Sequence, residues 1–375
     1  MDIIPFLKLM VDQAASDLFF SVGTQPHIKV EGVTSPIGKT VLTSQQMAEL
    51  VASVMDDAQR KEFDATMELN MAISVEGIGR YRINIYRQRG EIAMVVRYIK
   101  GVIPSLGELN LPPILNTLAL EQRGLVLVVG ATSSGKSTTL AAMIDYRNTK
   151  ECGHILTIED PIEYLHCHKK SIIDQREVGI DTISYESALK NAMREAPDVI
   201  LIGEIRDRHT MKQAIAYAET GHLCLSTLHA NSANQALERI IHFFPEEARA
   251  QLLLDLSLNL RGIVSLRLIP GVAQKRVPAV EVLLNSPYIS DLIEQGKIDE
   301  IKEIMERSSE QGMQTFDKAL LALYQEQKIT QANAIRYADS KNNVGLKIRL
   351  TQGVHVTDPS DLKIQSDDID KEFPH

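Results

Sequence analysis

The 375-residue chain reads as an α/β fold: a parallel sheet with crossover helices, a smaller α+β domain before it and a helical extension after it. Three observations predict this. Short apolar runs at 125–129, 153–158, 198–203 and 222–228 alternate with helical patterns, as parallel strands joined by crossover helices do. Before residue 100, strand signals cluster around Gly and Pro turns together with a few helical segments, the mark of a small α+β domain. From Pro245, with Glu246 and Glu247 in a first turn, the pattern is predominantly helical to about residue 340. The expected organisation is therefore a domain at 1–100, a linker at 101–115 holding Pro104, Gly107, Pro112 and Pro113, a main domain at 116–345, and an acidic, aperiodic tail at 346–375 expected to be disordered. No internal repeat is visible.

Within the first domain, Ile3, Ile4, Leu7, Met10 and Val11 fall at helical spacing. Strands at 18–22 and 27–30 flank the Gly23-Thr24-Gln25-Pro26 turn, and Thr43-x-x-Gln46 is a capping box opening a helix. Asp56 or Asp57 caps another. Strands at 68–75, 80–88 and 91–99 are broken by Gly77-Ile78-Gly79 and Arg89-Gly90. If Arg89-Gly90 is a two-residue turn, Gln88 pairs with Glu91 and Arg82 faces Arg97. Like charges across a strand pair are unfavourable unless something neutralises them. A nearby carboxylate is one solution; a phosphate from another subunit, with the arginines as fingers, is the other. On the residues alone the carboxylate is favoured.

Composition bounds the function. The chain is 44% hydrophobic and 24% charged, ordinary for a globular protein. A net charge of −9 argues against general binding to nucleic acid or anionic lipid. Cys152, Cys167 and Cys224 form no C-x-x-C pair, so a reducing, cytoplasmic setting without structural zinc is expected. No apolar run reaches membrane-span length and the N-terminus has no basic signal region, so no direct membrane insertion is expected.

The chemistry centres on Gly130-Ala131-Thr132-Ser133-Ser134-Gly135-Lys136-Ser137-Thr138. It fits G-x-x-x-x-G-K-S/T and follows the apolar run Leu125 to Val129, with a helical pattern behind it. The glycines let successive backbone N–H groups turn inward, and the helix N-terminus adds its positive end to hold phosphates. Lys136 reaches the β/γ-phosphates and Ser137 ligates Mg²⁺ in such loops. This is read as a nucleotide-binding loop.

Two acidic segments belong beside it. Asp198 to Gly203 is an apolar strand ending in Glu204, where phosphate-loop proteins place an acid near the metal and the attacking water. Aspartate normally precedes that acid; Gly203 stands there instead, leaving Glu204 a metal contact through water. Glu159-Asp160-Pro161-Ile162-Glu163 follows another strand, at the carboxyl edge where open parallel sheets bind ligands. Ser137, Glu159 and Asp160 are the metal-side candidates, the carboxylates through water. Glu163 is the first choice for polarising the attacking water and Glu204 the second. His222 and His229 bracket the last core strand and suggest a γ-phosphate sensor. His166-Cys167-His168 is read as a polar strand face and not as a metal site.

Together these blocks resemble the secretion ATPase superfamily, most closely the type IV pilus retraction ATPases of the PilT/PilU family. The matching text is GATSSGKSTTLAAMIDYRN, HILTIEDPIEYLH, EAPDVILIGEIRD, AETGHLCLSTLHANSA and GMQTFDKALLALY, with ASDLFFSVG and GRYRINIYRQRG extending it to residues 1–345. The resemblance implies a RecA-like P-loop ATPase core, a PAS-like N-terminal domain and a homo-hexameric ring using ATP and Mg²⁺. It also implies that N-terminal arginines reach a neighbour's ATP, and Arg82 and Arg97 stand at those positions. A tetracysteine metal site, typical of extension and secretion ATPases, is absent from the sequence, which favours the retraction side. Where PilT-type proteins carry AIRNLIRE, this chain has Tyr288 to Gln295 without the basic residues, a departure nearer the accessory PilU branch. The expected partners are a PilT-type retraction ATPase and an inner-membrane platform protein at the pilus base. An ATP-binding adaptor dependent on that partner is the alternative; a DNA-translocating ring is disfavoured by the acidic balance.

Overall fold

The computed structural model describes residues 2–30, 32–99, 101–273, 275–307 and 312–351. In chain order the elements before the linker are α1 (Ile4–Asp12), β1 (Asp17–Ser21), β2 (His27–Val30), β3 (Val33–Pro36), α2 (Ser44–Ala52), α3 (Asp57–Thr66), β4 (Glu68–Val75), β5 (Gly79–Gln88) and β6 (Glu91–Ile99). Both α2 and α3 start at complete capping boxes, Thr43 with Gln46 and Asp56 with Gln59, so in each the N3 and N-cap N–H groups are satisfied. The strands form one sheet ordered β3-β2-β1-β6-β5-β4. One face buries Leu18, Phe20, Ile83, Ile85, Met94 and Val96 with Leu7, Met10, Met47, Leu50 and Phe63 of the helices.

The hairpin β5–β6 turns at Arg89 (φ +51°) and Gly90 (φ +82°), positive φ at both positions as a type I′ turn requires. Its register pairs Gln88 with Glu91 and sets Arg82 opposite Arg97.

The main domain follows as α4 (Ile114–Ala119), β7 (Gly124–Gly130), α5 (Lys136–Lys150), β8 (Gly153–Glu159), β9 (Ser171–Glu177), α6 (Tyr185–Ala192), β10 (Val199–Ile202), α7 (Arg208–Glu219), β11 (Leu223–Leu228), α8 (Ala233–His242), α9 (Arg249–Asn259), β12 (Leu260–Pro270), β13 (Arg276–Leu284), α10 (Pro287–Glu294) and α11 (Ile298–Arg307). The sheet order is β13-β12-β7-β11-β10-β8-β9, with β9, β8, β10, β11, β7 and β12 parallel. Alternate residues of β7 face two cores: Leu125, Leu127 and Val129 meet α7, α8 and α9, while Val126 and Val128 meet α4 and α5. Burial on both faces is why these strands read as continuous apolar runs. The buried Arg147 of α5 donates to the carbonyls of Ala119 and Glu121, closing the C-terminus of α4.

Four strands correct the sequence reading. β12 and β13 lie in the stretch expected to be helical after Pro245, and β3 and β9 were not anticipated. Short apolar runs buried in a sheet do not differ from buried helix segments by periodicity alone, and the edge strand β9 alternates buried and exposed residues. Helix α14 (Lys341–Thr351) also runs past residue 346, where the tail was expected to begin; residues 352–375 lie outside the described residues.

The chain divides into two compact units, Met1–Arg267 with Val280–Gln314, and Leu268–Ala279 with the chain from Thr315 on. The second is built from α12 (Phe316–Gln325), α13 (Gln331–Arg336) and α14 around Ile269, Ala279, Phe316, Leu320, Val344 and Ile348. Asp317 accepts the backbone N–H of Asp339 and Ser340 at 2.8 and 3.1 Å, fixing the turn into α14. Among the described residues no helix is long and apolar enough to cross a membrane.

Candidate active site

Strand β7 is wholly buried and delivers the phosphate loop at its carboxyl end, where the neighbouring strands β11 and β12 run to the two sides. This is the topological switch point at which open parallel sheets bind ligands. Glycine is needed at 130: a Cβ there would lie 2.3 Å from Ser134 Oγ and 2.7 Å from the Leu266 carbonyl. Ser133 (φ +61°) and Gly135 (φ +97°) take left-handed conformations, curling the exposed Ala131-Thr132-Ser133 segment over the N-terminus of α5. Lys136 Nζ donates to the carbonyls of Gly130 and Ala131 at 2.9 and 3.0 Å, so the ammonium lies across the mouth of the loop. Burial lowers its pKa, opposed by Glu204 and Glu163.

Ser137 Oγ donates to Glu163 Oε1 at 2.9 Å, and Thr138 Oγ1 meets Tyr164 OH at 2.9 Å. The start of α5 is thus stitched to the acidic segment. Glu204, just past β10, has both oxygens engaged: His229 Nε2 at 3.0 Å and Arg206 Nε at 2.8 Å. Burial lowers the His229 pKa, with Lys136 adding to the effect and Glu204 opposing it. Asp160 lies 3.8 Å from Arg206 Nη1. Lys136, Ser137, Glu163, Glu204 and His229 therefore come together from β7, β8, β10 and β11, as the sequence implied.

Two expectations are corrected. His222 is at the other end of β11: its carbonyl accepts the Gly124 N–H at the start of β7, a strand length of roughly 20 Å from the loop. Parallel strands start on one edge of the sheet and finish on the other, so two residues bracketing a strand cannot both face this chain's loop. Glu159 does not face Ser137. Its Oε1 accepts Thr157 Oγ1 at 2.7 Å and Gln175 Nε2 at 3.2 Å, and burial pushes its pKa up to about 7. Among the described residues no group of three or more His, Cys, Asp or Glu side chains is placed to hold a metal. His168 instead accepts the Ile173 N–H at 3.0 Å on Nδ1.

The facing arginines each find a carboxylate in the chain. Arg97 Nε donates to Asp17 at 2.8 Å, and Arg82 Nε is 3.9 Å from Glu177, a residue only 1% exposed. Burial raises the Glu177 pKa, and Arg82 opposes it. Glu177 also accepts the N–H of Ile162 in the acidic segment at 3.4 Å.

Gly203 is explained by space. A Cβ there would lie 2.9 Å from Tyr185 OH and 3.2 Å from both Glu159 Cα and the Ile158 carbonyl. The aspartate usual at this place does not fit. Arg206, Tyr185 and Glu177 were missed in the sequence; the signal available for Arg206 was its position two residues after Glu204 on an extended segment, which puts both side chains on one side.

Known proteins resemble this chain over most of its length. The family described as Type II/IV secretion system protein matches residues 106–354. The type IV pilus ATPase PilU of Pseudomonas aeruginosa is 55% identical over 345 residues, 92% of this chain and 90% of that protein. The retraction ATPase PilT of the same organism is 39% identical over 343 residues, 92% of this chain and all of that protein. The crystal structure of the pilus retraction motor PilT with bound ADP superposes with a TM-score of 0.85 at 37% identity, covering 92% of this chain and 98% of that one. A parallel-sheet core with a phosphate loop, acids at two strand ends and relatives that span nearly the whole chain place this protein in the type II/IV secretion system family, among the type IV pilus ATPases of the PilT/PilU group.

Proposed function

We propose that the protein is a hexameric, Mg²⁺-dependent ATPase of the type IV pilus machinery that powers or assists pilus retraction and twitching motility. The observation that carries the reading is the convergence of Lys136, the Ser137–Glu163 pair and the Glu204–His229 pair at the carboxyl ends of parallel strands. Lys136 and the loop N–H groups hold the phosphates; Glu163 and Glu204 orient the attacking water; His229 reads the γ-phosphate through Glu204. Ser137 and Glu163 at 2.9 Å fit a small hard cation that keeps most of its water and takes few protein oxygens. Bound there with ATP, Mg²⁺ supplies charge neutralisation at the β- and γ-phosphates.

In the ring, ATP lies between one subunit's core and the next subunit's N-terminal domain. Arg82 is the stronger finger candidate, because at 3.9 Å it is held loosely, whereas Arg97 is committed to Asp17 at 2.8 Å. The kinship with PilU and PilT supports a cytoplasmic place at the inner-membrane pilus base, beside a PilT-type partner and a platform protein. Lys136→Ala should abolish ATP turnover while leaving the circular dichroism spectrum and oligomer mass unchanged. Turnover equal to wild type would refute the site.

One observation favours a second reading, an adaptor that binds ATP and depends on its partner. The solvent side of α10 presents Asp291 and Glu294 and no basic residue, where PilT-type proteins carry arginines. Turnover measured with and without a PilT-type partner separates the two: an adaptor hydrolyses appreciably only in the mixture.

A further inference from the structure

We infer that Arg206 is a positioning residue for hydrolysis: it holds the Glu204 carboxylate in its working orientation by tying it to Asp160 of the acidic segment. The inference rests on the ATPase reading above and extends it to a residue outside the loop, acid and histidine motifs.

The local backbone dictates the arrangement. Gly203 N–H donates to the Ile158 carbonyl at 2.8 Å and Ile205 N–H to the Thr227 carbonyl at 2.9 Å, so the chain past β10 stays extended between β8 and β11. Ile205 is buried in the core below. Alternation then sends residues 204 and 206 to the same, open side. Asp207 caps α7, its carboxylate accepting the Thr210 N–H at 2.8 Å, which fixes the backbone just after Arg206. The side chain is therefore launched from a rigid stem.

What it meets follows from guanidinium shape. Nε donates to Glu204 Oε2 at 2.8 Å while Nη1 lies 3.8 Å from Asp160 Oδ2. The other Glu204 oxygen faces His229 Nε2 at 3.0 Å. The planar fork thus spans the ends of β8 and β10, and His229 joins β11 to them through the other Glu204 oxygen. A carboxylate held from two sides has few rotamers left, and its remaining lone pairs are aimed. Lysine has the charge but not the fork. Arg206 is 59% exposed, so as an ion pair alone it adds little to stability. Its contribution is geometric, and in catalysis a misplacement of about 1 Å costs on the order of 100-fold.

The test is steady-state ATP turnover of the full-length protein, with wild type active and Lys136→Ala inactive as controls that validate the ATPase reading first. Arg206→Gln is expected to lower kcat by roughly 10- to 100-fold with KM for ATP within about threefold of wild type. Arg206→Lys should recover less than half of the loss. Asp160→Asn should lower kcat alone, yet change little in the Arg206→Gln background, because the tie is already cut. A merely structural arginine would move Tm, KM and kcat together and be rescued by lysine. Active wild type with kcat unchanged in Arg206→Gln, full rescue by lysine, or additive effects of the two substitutions would each overturn the inference. Should Arg206→Gln fail to fold, Arg206→Lys and Asp160→Asn decide it by the same kcat-against-KM split.

Discussion

Gly203 offers the sharpest test of how tightly the strand ends are packed. An alanine Cβ would meet Tyr185 OH at 2.9 Å, Glu159 Cα at 3.2 Å and the Ile158 carbonyl at 3.2 Å. The last two are backbone atoms, and Ile158 is already bonded to Gly203 N–H at 2.8 Å, so they move only if that bond is stretched. Overpacking of this kind costs about 1–3 kcal/mol. For a domain of this size each kcal/mol lowers Tm by about 2–4 °C, so Gly203→Ala should melt roughly 3–10 °C below wild type. Turnover should fall further than stability, because the shift is passed directly to Glu204. The assay is thermal unfolding beside ATP turnover for Gly203→Ala, Tyr185→Phe and the double variant. Removing the Tyr185 hydroxyl takes away the nearest contact and should restore part of both losses. An alanine variant with unchanged Tm and kcat would refute the steric account of why glycine replaces aspartate here.

Two further outcomes follow from buried charge. Burial lowers the His166 pKa to about 4; since the unfolded chain takes up the proton near 6.5, the unfolded state binds more protons between those values and stability falls as pH drops through that window. The loss should reach about 2 kcal/mol at pH 5 relative to pH 8, and His166→Gln should flatten urea-denaturation stability between pH 6.5 and 5; an unaltered slope would contradict it. Arg82→Ala leaves the buried Glu177 with Arg80 as its opposing charge and should cost about 1 kcal/mol, recovered by adding Glu177→Gln. In the same variant, turnover that falls further than Glu177→Gln restores would favour the finger, and complete recovery would favour a purely in-chain partner.

Sequence and structure divide along the range of the interactions. The phosphate loop, the capping boxes at Thr43 and Asp56 and the Arg89-Gly90 turn are each set within a few residues. The turn alone fixes the hairpin register, and with it the Arg82–Arg97 pair. The sheet core was legible because β7, β8, β10 and β11 are buried on both faces and read as apolar runs. β12 and β13 carry the same kind of run, yet nothing local distinguishes them from a buried helix.

By itself, the sequence determined that a nucleotide loop sits on a strand-to-helix junction, with acids following two strands. Tertiary structure decided which acids face it. The parallel direction of β11 carries His229 to the loop and leaves His222 at the far edge. Thr157 and Gln175 hold Glu159 inward, and Arg206 reaches Asp160 across more than forty residues of chain. Local motifs fix backbone conformation, but side-chain partners depend on which strand ends meet, and that is set by packing the whole sheet.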